Sequence, residues 1–367
     1  MLLGYVINDK TTRDMKHRVM LWGAALVALL SSAPKADACS RVLYVGDTTV
    51  SAPDSVLRIV GRSLDWKTPI PTNVYVYPAG MAKVGNVFPN SVKWTSKYGA
   101  VYAVSYDGGI TEGMNEKGLV INSLFCKGAV YNNESNEKMP PISLAVFVGW
   151  LLDMNATTDE VLDVLRNRNF SIGGATFDKG TVSALHWGIT DATGKSAIVE
   201  FDNGNINIYE GQDIPVLTNL PEFPAMKAIN DYWTAIGGVH MLPGTVTSAD
   251  RFVRGSFFNK NVAHTNDFRE GFAIIRSIMA NVSVPFHYTV ETSPEVSSTQ
   301  WRSYSDIRDL IYGFEPVDNL GVLYVDLHKV DLRPGAPVLR LDVSKTYDVV
   351  GDVTHLFKKH APFTPMY

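Results

Sequence analysis

Cysteine is nearly absent from this chain. Only Cys39 and Cys126 occur in 367 residues, too few for a disulfide framework at this length. There is no Cys-x-x-Cys and no His-Glu-x-x-His, and the eight histidines are scattered without ligand spacing, which argues against a metal enzyme. Neither a metal nor any other cofactor is expected. No Gly-x-Gly-x-x-Gly opens a helical stretch, which counts against a doubly wound parallel sheet. An excess of positive charge is also missing. Lys and Arg number 33 against 37 Asp and Glu, for a net charge of -4, so there is no electrostatic case for a nucleic-acid partner. Internal repeats, low-complexity linkers and an obvious domain boundary are lacking too.

What is present is ordinary globular material, 46% hydrophobic and 19% charged, enough for a substantial core. Sixteen Tyr, sixteen Phe and seven Trp suit a sheet-rich fold with aromatic-lined pockets. The first residues differ from the rest. Lys16, His17 and Arg18 precede an apolar run, Val19 to Leu30, that is short for a bilayer. Small residues and Ala36-Asp37-Ala38 follow, an A-x-A cleavage signal. Residues 1–38 are therefore expected to be a signal peptide and 39–367 a single domain. That implies a periplasmic or secreted bacterial protein, with no membrane contact after leader removal. A retained membrane anchor and a lipoprotein are the alternatives, and the charged Asp37 counts against the second.

Along the chain, apolar and β-branched runs predict strands at 41–45, 56–60, 72–77, 92–94, 100–106 and 119–125, with Lys97-Tyr98-Gly99 as a hairpin turn and Gly113–Gly118 as a turn. Helical spacing follows at 142–152. Thr157 with Glu160 three residues on reads as a capping box. Strands return at 184–190, 196–201, 206–209 and 216–219. Helices are expected around 225–236, 248–257 and 267–280, and closing strands at 301–306, 321–326 and 338–341. This order fits an α+β fold of two antiparallel sheets packed face to face with helices outside, an αββα sandwich.

Cleavage after Ala38 would leave Cys39 with both a thiol and a free α-amine. Their ordinary pKa values are close, about 8.5 and about 7.7–8.0. The amine can therefore take the thiol proton and later return it to a leaving group. The bland alternative is a buried cysteine, or one paired with Cys126 in an oxidising compartment.

Cys39, Gly61-Arg62-Ser63-Leu64-Asp65-Trp66, Gly113-Met114-Asn115-Glu116-Lys117-Gly118-Leu119, Thr218-Asn219, Leu242-Pro243-Gly244 and Ser248–Arg254 occur in that order. Together they resemble the choloylglycine hydrolase family, which holds penicillin V acylases and bile salt hydrolases. The resemblance implies an N-terminal nucleophile (Ntn) hydrolase fold with a thiol nucleophile, Cys39. It implies Asp65 accepting from the Cys39 amine, Arg62 lowering the thiol pKa, Asn219 donating to the oxyanion, and Arg251 as a second site arginine. Trp66 and Phe125 would line the acyl pocket and bind substrate, as in Gram-negative members. Phe125 has no side-chain donor, so an oxyanion contact from this position has to use a backbone N–H.

The resemblance further implies a homo-tetramer. It also implies a small N-acyl amide as substrate, with penicillin V and N-acyl homoserine lactones as candidates. A bile salt hydrolase and a silent periplasmic binding protein on the same fold are the competing functions. More modest roles stand beside each residue. Arg62 and Asp65 can be a simple ion pair, Asn219 a helix cap, Arg251 or Arg254 a solvated face, and Trp66 and Phe125 core aromatics. Loops 80–90 and 127–139 are expected to set the pocket volume.

Overall fold

The computed structural model describes residues 39–177, 181–212, 214–288 and 297–367. The expected signal peptide, residues 1–38, lies outside the described residues.

In chain order the strands of the two main sheets are β1 (Cys39–Val45), β2 (Arg58–Trp66), β3 (Thr72–Tyr77), β4 (Ala100–Ser105), β5 (Gly109–Asn115), β6 (Val120–Phe125), β7 (Leu185–Thr190), β8 (Ser196–Asp202), β9 (Asn205–Gly211), β10 (Val216–Leu217), β11 (Ser298–Asp306), β12 (Ile311–Pro316), β13 (Leu323–Asp326), β14 (Leu339–Leu341), β15 (Gly351–Asp352) and β16 (Lys358–Lys359). The helices are α1 (Leu144–Met154), α2 (Thr158–Asn167), α3 (Phe223–Gly237), α4 (Ser248–Asn261) and α5 (Phe268–Val282). A seven-stranded sheet runs β10-β1-β2-β11-β12-β13-β15. A nine-stranded sheet runs β9-β8-β7-β6-β5-β4-β3-β14-β16. Pairing is antiparallel except for the short β13–β15 edge.

Alternation along each strand decides the layers. In β1, Val42 and Tyr44 pack with Ile275, Ile278 and Met279 of α5 and with Phe252 of α4. Leu43 points the other way, into the core between the sheets, where it joins Val60 and Leu64 of β2, Val74 and Val76 of β3 and Val101 of β4. The far face of the nine-stranded sheet is covered by α1 and α2, whose Phe147, Leu151, Val161 and Leu165 meet Tyr75, Tyr102, Ile121 and Trp187. Helix, sheet, sheet and helix thus stack as the expected sandwich.

The capping reading of α2 holds, since Thr157 Oγ1 accepts from Glu160 N at 3.2 Å. The return bond comes from Ala156 N to Glu160 Oε2 at 2.6 Å, one residue earlier than in the standard box.

Three local expectations change. The motif 61–66 is strand throughout, as part of β2. Gly113 to Asn115 belongs to β5 rather than to a turn. Lys97-Tyr98-Gly99 makes no hairpin, because the preceding strand Lys93–Thr95 pairs back onto Ala82–Val84. The structure also adds β12, which sequence reading missed. Its Gly313 and closing Pro316 break the apolar run, and it is held by pairing with β11 and β13.

Candidate active site

Cys39 is the first residue of β1 and is buried. Opposite it in the ladder stands Leu64 of β2. Its backbone N donates to Asn219 Oδ1 at 2.7 Å. Its Sγ lies 3.8 Å from Arg62 Nη2 and 3.9 Å from the Asp65 carbonyl oxygen. Burial pushes the thiol pKa up. The Arg62 cation pulls against that, Asp65 adds to it, and backbone contacts with Asp65 and Phe125 oppose it. The net direction is upward: Arg62 lowers the thiol pKa as expected, and burial outweighs it.

Strand geometry explains why Arg62 and Asp65 do not pair. Three residues apart in β2, they project from opposite faces of the sheet. Arg62 enters the space between the sheets. Its Nη2 donates to the Ser123 carbonyl at 2.9 Å, its Nε lies 3.4 Å from Glu112, and its guanidinium stacks 4.5 Å from the Trp301 ring centroid. Asp65 faces the α4 side. It accepts from Thr299 Oγ1 at 2.5 Å and Ser63 Oγ at 3.4 Å, and sits 4.0 Å from Arg251. Burial raises the Asp65 pKa, with Arg251 and Thr299 opposing the rise. The single N–H that Cys39 carries in the intact chain goes to Asn219 Oδ1 rather than to Asp65; the expectation for Asp65 concerns the α-amine that cleavage after Ala38 would expose.

Asn219 follows β10 and caps no helix; the N-cap of α3 is Glu222. Its Oδ1 also accepts from Arg251 Nη2 at 3.0 Å, and its Nδ2 donates to the Phe125 carbonyl at 2.7 Å. Arg251 is fully buried on α4. Its Nη1 donates to the Cys39 carbonyl at 2.6 Å and to Ser40 Oγ at 2.5 Å, and its Nε to the Val246 carbonyl at 3.0 Å. Arg254, one turn on, instead binds the carbonyls of Pro243, Thr245 and Asn281. Only one of the two arginines reaches the site.

Trp66 and Phe125 meet edge to face at 5.2 Å. They border a cavity of about 100 Å³ that opens beside Cys39. Its wall continues through Leu64, Ile70, Ile110, Leu144 and Met366. Loops 80–90 and 127–139 contribute nothing to this wall among the described residues, contrary to expectation.

Sequence reading missed the polar lattice behind the thiol. Glu112 accepts from Tyr312 OH at 2.8 Å and Asn122 Nδ2 at 3.1 Å, and Asn122 Oδ1 accepts from Arg41 Nε at 2.9 Å. Burial brings the Arg41 pKa down to about 10. The one available signal was polar residues at inward positions of apolar strands, such as Arg41 in β1 and Glu112 in β5. Asn115, within the expected motif, is the last residue of β5, and its side chain braces the turn that follows. It donates to the Leu152 and Asn155 carbonyls and accepts from the Lys117 and Leu119 amides.

Both cysteines are free thiols, so the Cys39–Cys126 disulfide is excluded. Among the described residues no group of three or more His, Cys, Asp or Glu side chains could hold a metal ion.

Residues 48–350 match the family model described as linear amide C–N hydrolases, choloylglycine hydrolase family. A penicillin V acylase of Pectobacterium atrosepticum is 33% identical over 365 residues, spanning 92% of this chain and 95% of its own. A bile salt hydrolase/transferase of Clostridium perfringens is 28% identical over 305 residues, spanning 75% and 90%. The structure of a penicillin V acylase from Agrobacterium tumefaciens superposes with a TM-score of 0.80 at 37% identity, covering 89% of this chain and 99% of that one.

Proposed function

The chain belongs to the choloylglycine hydrolase family of linear amide C–N hydrolases, and from that premise we propose that it hydrolyses a small N-acyl amide with Cys39 as an N-terminal nucleophile. Penicillin V and N-acyl homoserine lactones are the substrates this reading favours. The carrying observation is the arrangement of one residue: Cys39 nitrogen is anchored 2.7 Å from Asn219 Oδ1, while its thiol lies 3.8 Å from Arg62 at the mouth of a largely apolar cavity.

The reading requires cleavage of the Ala38–Cys39 bond after export, which turns that nitrogen into an α-amine. The amine takes the thiol proton, and Sγ attacks the acyl carbon. The carbonyl electron pair moves to oxygen. As it returns, the C–N bond breaks, and the leaving nitrogen takes the proton from the ammonium. Water, deprotonated by the same amine, then attacks the thioester, releasing the acid and restoring the thiol. Asn219 uses one N–H on the Phe125 carbonyl; its second N–H serves the oxyanion. Such a preorganised donor is commonly worth about 2.7–4 kcal/mol in the barrier. Trp66 and Phe125 hold the acyl group. The enzyme works as a homo-tetramer in this reading, which its solution mass would check.

Mass spectrometry of the exported protein tests the premise, with Cys39 expected as the first residue. A kinetic panel of penicillin V, acyl homoserine lactones and glycine-conjugated bile acids tests the substrate. Full activity in Cys39→Ala, or an N-terminus elsewhere, sinks the mechanism. A preference for the bile acids sinks the substrate assignment.

A further inference from the structure

The cavity at Cys39 is not the only apolar space on its path. A second cavity, of about 280 Å³, is lined by Tyr77, Trp94, Val146, Gly149, Phe363 and Pro365. Ile110 lines both. Two further elements supply residues to both walls: α1, with Leu144 and Ala145 on the first and Val146 and Gly149 on the second, and the extended segment 362–367. From Phe363 onward the side chains of this segment alternate as an extended chain dictates, while Pro362 also lines the second cavity. Phe363, Pro365 and Tyr367 face the second cavity, and Met366 between them faces the first.

No sheet pairing holds this segment. Met366 N donates to the Gly108 carbonyl at 2.9 Å, Ser143 Oγ donates to the Met366 carbonyl at 3.3 Å, and Phe363 N donates to Tyr77 OH at 3.0 Å. The Met366 methyl group itself rests over Gly108. Methionine is unbranched and adapts its rotamers readily. The charged residues in the wall of the second cavity, Lys83 and Asp153, are paired with each other at 2.8 Å.

We propose that Met366 and Ile110 form a partition that sets acyl-chain length. A short acyl group fills the chamber beside Trp66 and Phe125. A longer straight alkyl chain displaces the Met366 side chain and runs on into the second chamber. Met366 is a specificity-determining residue in this account, and the ligand class is an aliphatic acyl group. The inference rests on the amidase reading above, but binding tests it apart from catalysis.

The probe is a series of straight-chain alkanoates from four to fourteen carbons. Their binding to Cys39→Ala protein is measured by calorimetry, with and without Met366→Ala, Met366→Trp or Ile110→Val. Affinity should rise about fourfold per methylene while chain is being buried. With Met366 in place, that rise should pause where the chain reaches the partition. Met366→Ala should remove the pause and raise the long-to-short affinity ratio at least tenfold, and Met366→Trp should lower it. The same ratio in kcat/KM, for twelve- against six-carbon acyl amides, should move in parallel in protein that keeps Cys39. A long-to-short ratio constant within twofold across the variants overturns the partition, as does failure of every variant to bind any alkanoate. Binding that shifts as expected in a protein that hydrolyses no acyl amide overturns the amidase reading and leaves the partition standing.

Discussion

The proposed mechanism gives Asn219 two separable jobs, anchoring its neighbours and donating to the oxyanion, and replacing it by Leu and by Asp separates them. Leu has the same branched four-atom outline, though bulkier, and offers no polar atom. It strands the Cys39 N–H, one N–H of Arg251 and the Phe125 carbonyl, which now sit 2.7, 3.0 and 2.7 Å from Asn219. Each buried group left without a partner costs about 1–3 kcal/mol. Phe125 is only half-buried, so water can reach its carbonyl, which leaves two stranded donors and a loss of roughly 2–6 kcal/mol. At about 2 °C per kcal/mol for a chain of this size, Tm falls by roughly 4–12 °C.

Asp keeps the acceptor for both donors and strengthens the bond from Arg251. Its second carboxylate oxygen, however, faces the Phe125 carbonyl that Nδ2 now reaches at 2.7 Å, so its loss of stability should be smaller than that of the Leu variant rather than absent. Both variants lose the Nδ2 donor, so both should lose about 10²–10³-fold in kcat. Calorimetry with steady-state hydrolysis of one acyl amide reads both effects. An Asn219→Leu protein with unchanged Tm refutes the anchoring argument. An Asn219→Asp protein with full activity removes Nδ2 from the chemistry.

Two further outcomes follow from buried charge. Glu112→Ala strands Arg62, which is almost fully buried 3.4 Å from that carboxylate; chemical denaturation should show a loss of about 3–5 kcal/mol. His186 is fully buried, 3.5 Å from Glu200. Burial pulls its pKa down, but Cys126 and Glu200 overcome this and lift it from 6.5 to about 9. The folded state therefore holds the proton more tightly. That stabilisation is fully present below about pH 6.5 and is lost as pH rises through about 9, on the order of 3 kcal/mol. In denaturation curves across pH 6–10, His186→Gln should flatten this decline; an equally steep decline refutes the assignment.

Period and punctuation carried most of the fold into the sequence. The strand 72–77 and the three helices after Asn219 lie within a few residues of where their patterns put them, because each buries one face on a neighbour. β12 was hidden because pairing with its two neighbours in the chain, not its own propensity, holds it. The site was legible as residue types: Cys39, Arg62, Asp65, Asn219 and Arg251 do converge. The partners were not legible. Which face of β2 each charged side chain takes depends on register, so Arg62 pairs with Glu112, fifty residues on, and Asp65 with Thr299 and Arg251. Met366 carried no signal at all, since nothing local tells a tail residue that it will line a cavity.

Placing Cys39, the proposed nucleophile, at the head of β1 has a consequence for inactivation. β1 is an interior strand, paired with β2 along its whole length and with β10 on its other side. Functional groups on mobile loops commonly loosen well before the global transition. Cys39 itself is held by its ladder place opposite Leu64 and by the bonds to Asn219 and Arg251, so freeing it breaks buried contacts to β2, to the segment after β10 and to α4 together. Heat should therefore abolish activity and sheet structure in one transition, and alkylation of Cys39 by a reagent too bulky for the cavity should report global unfolding.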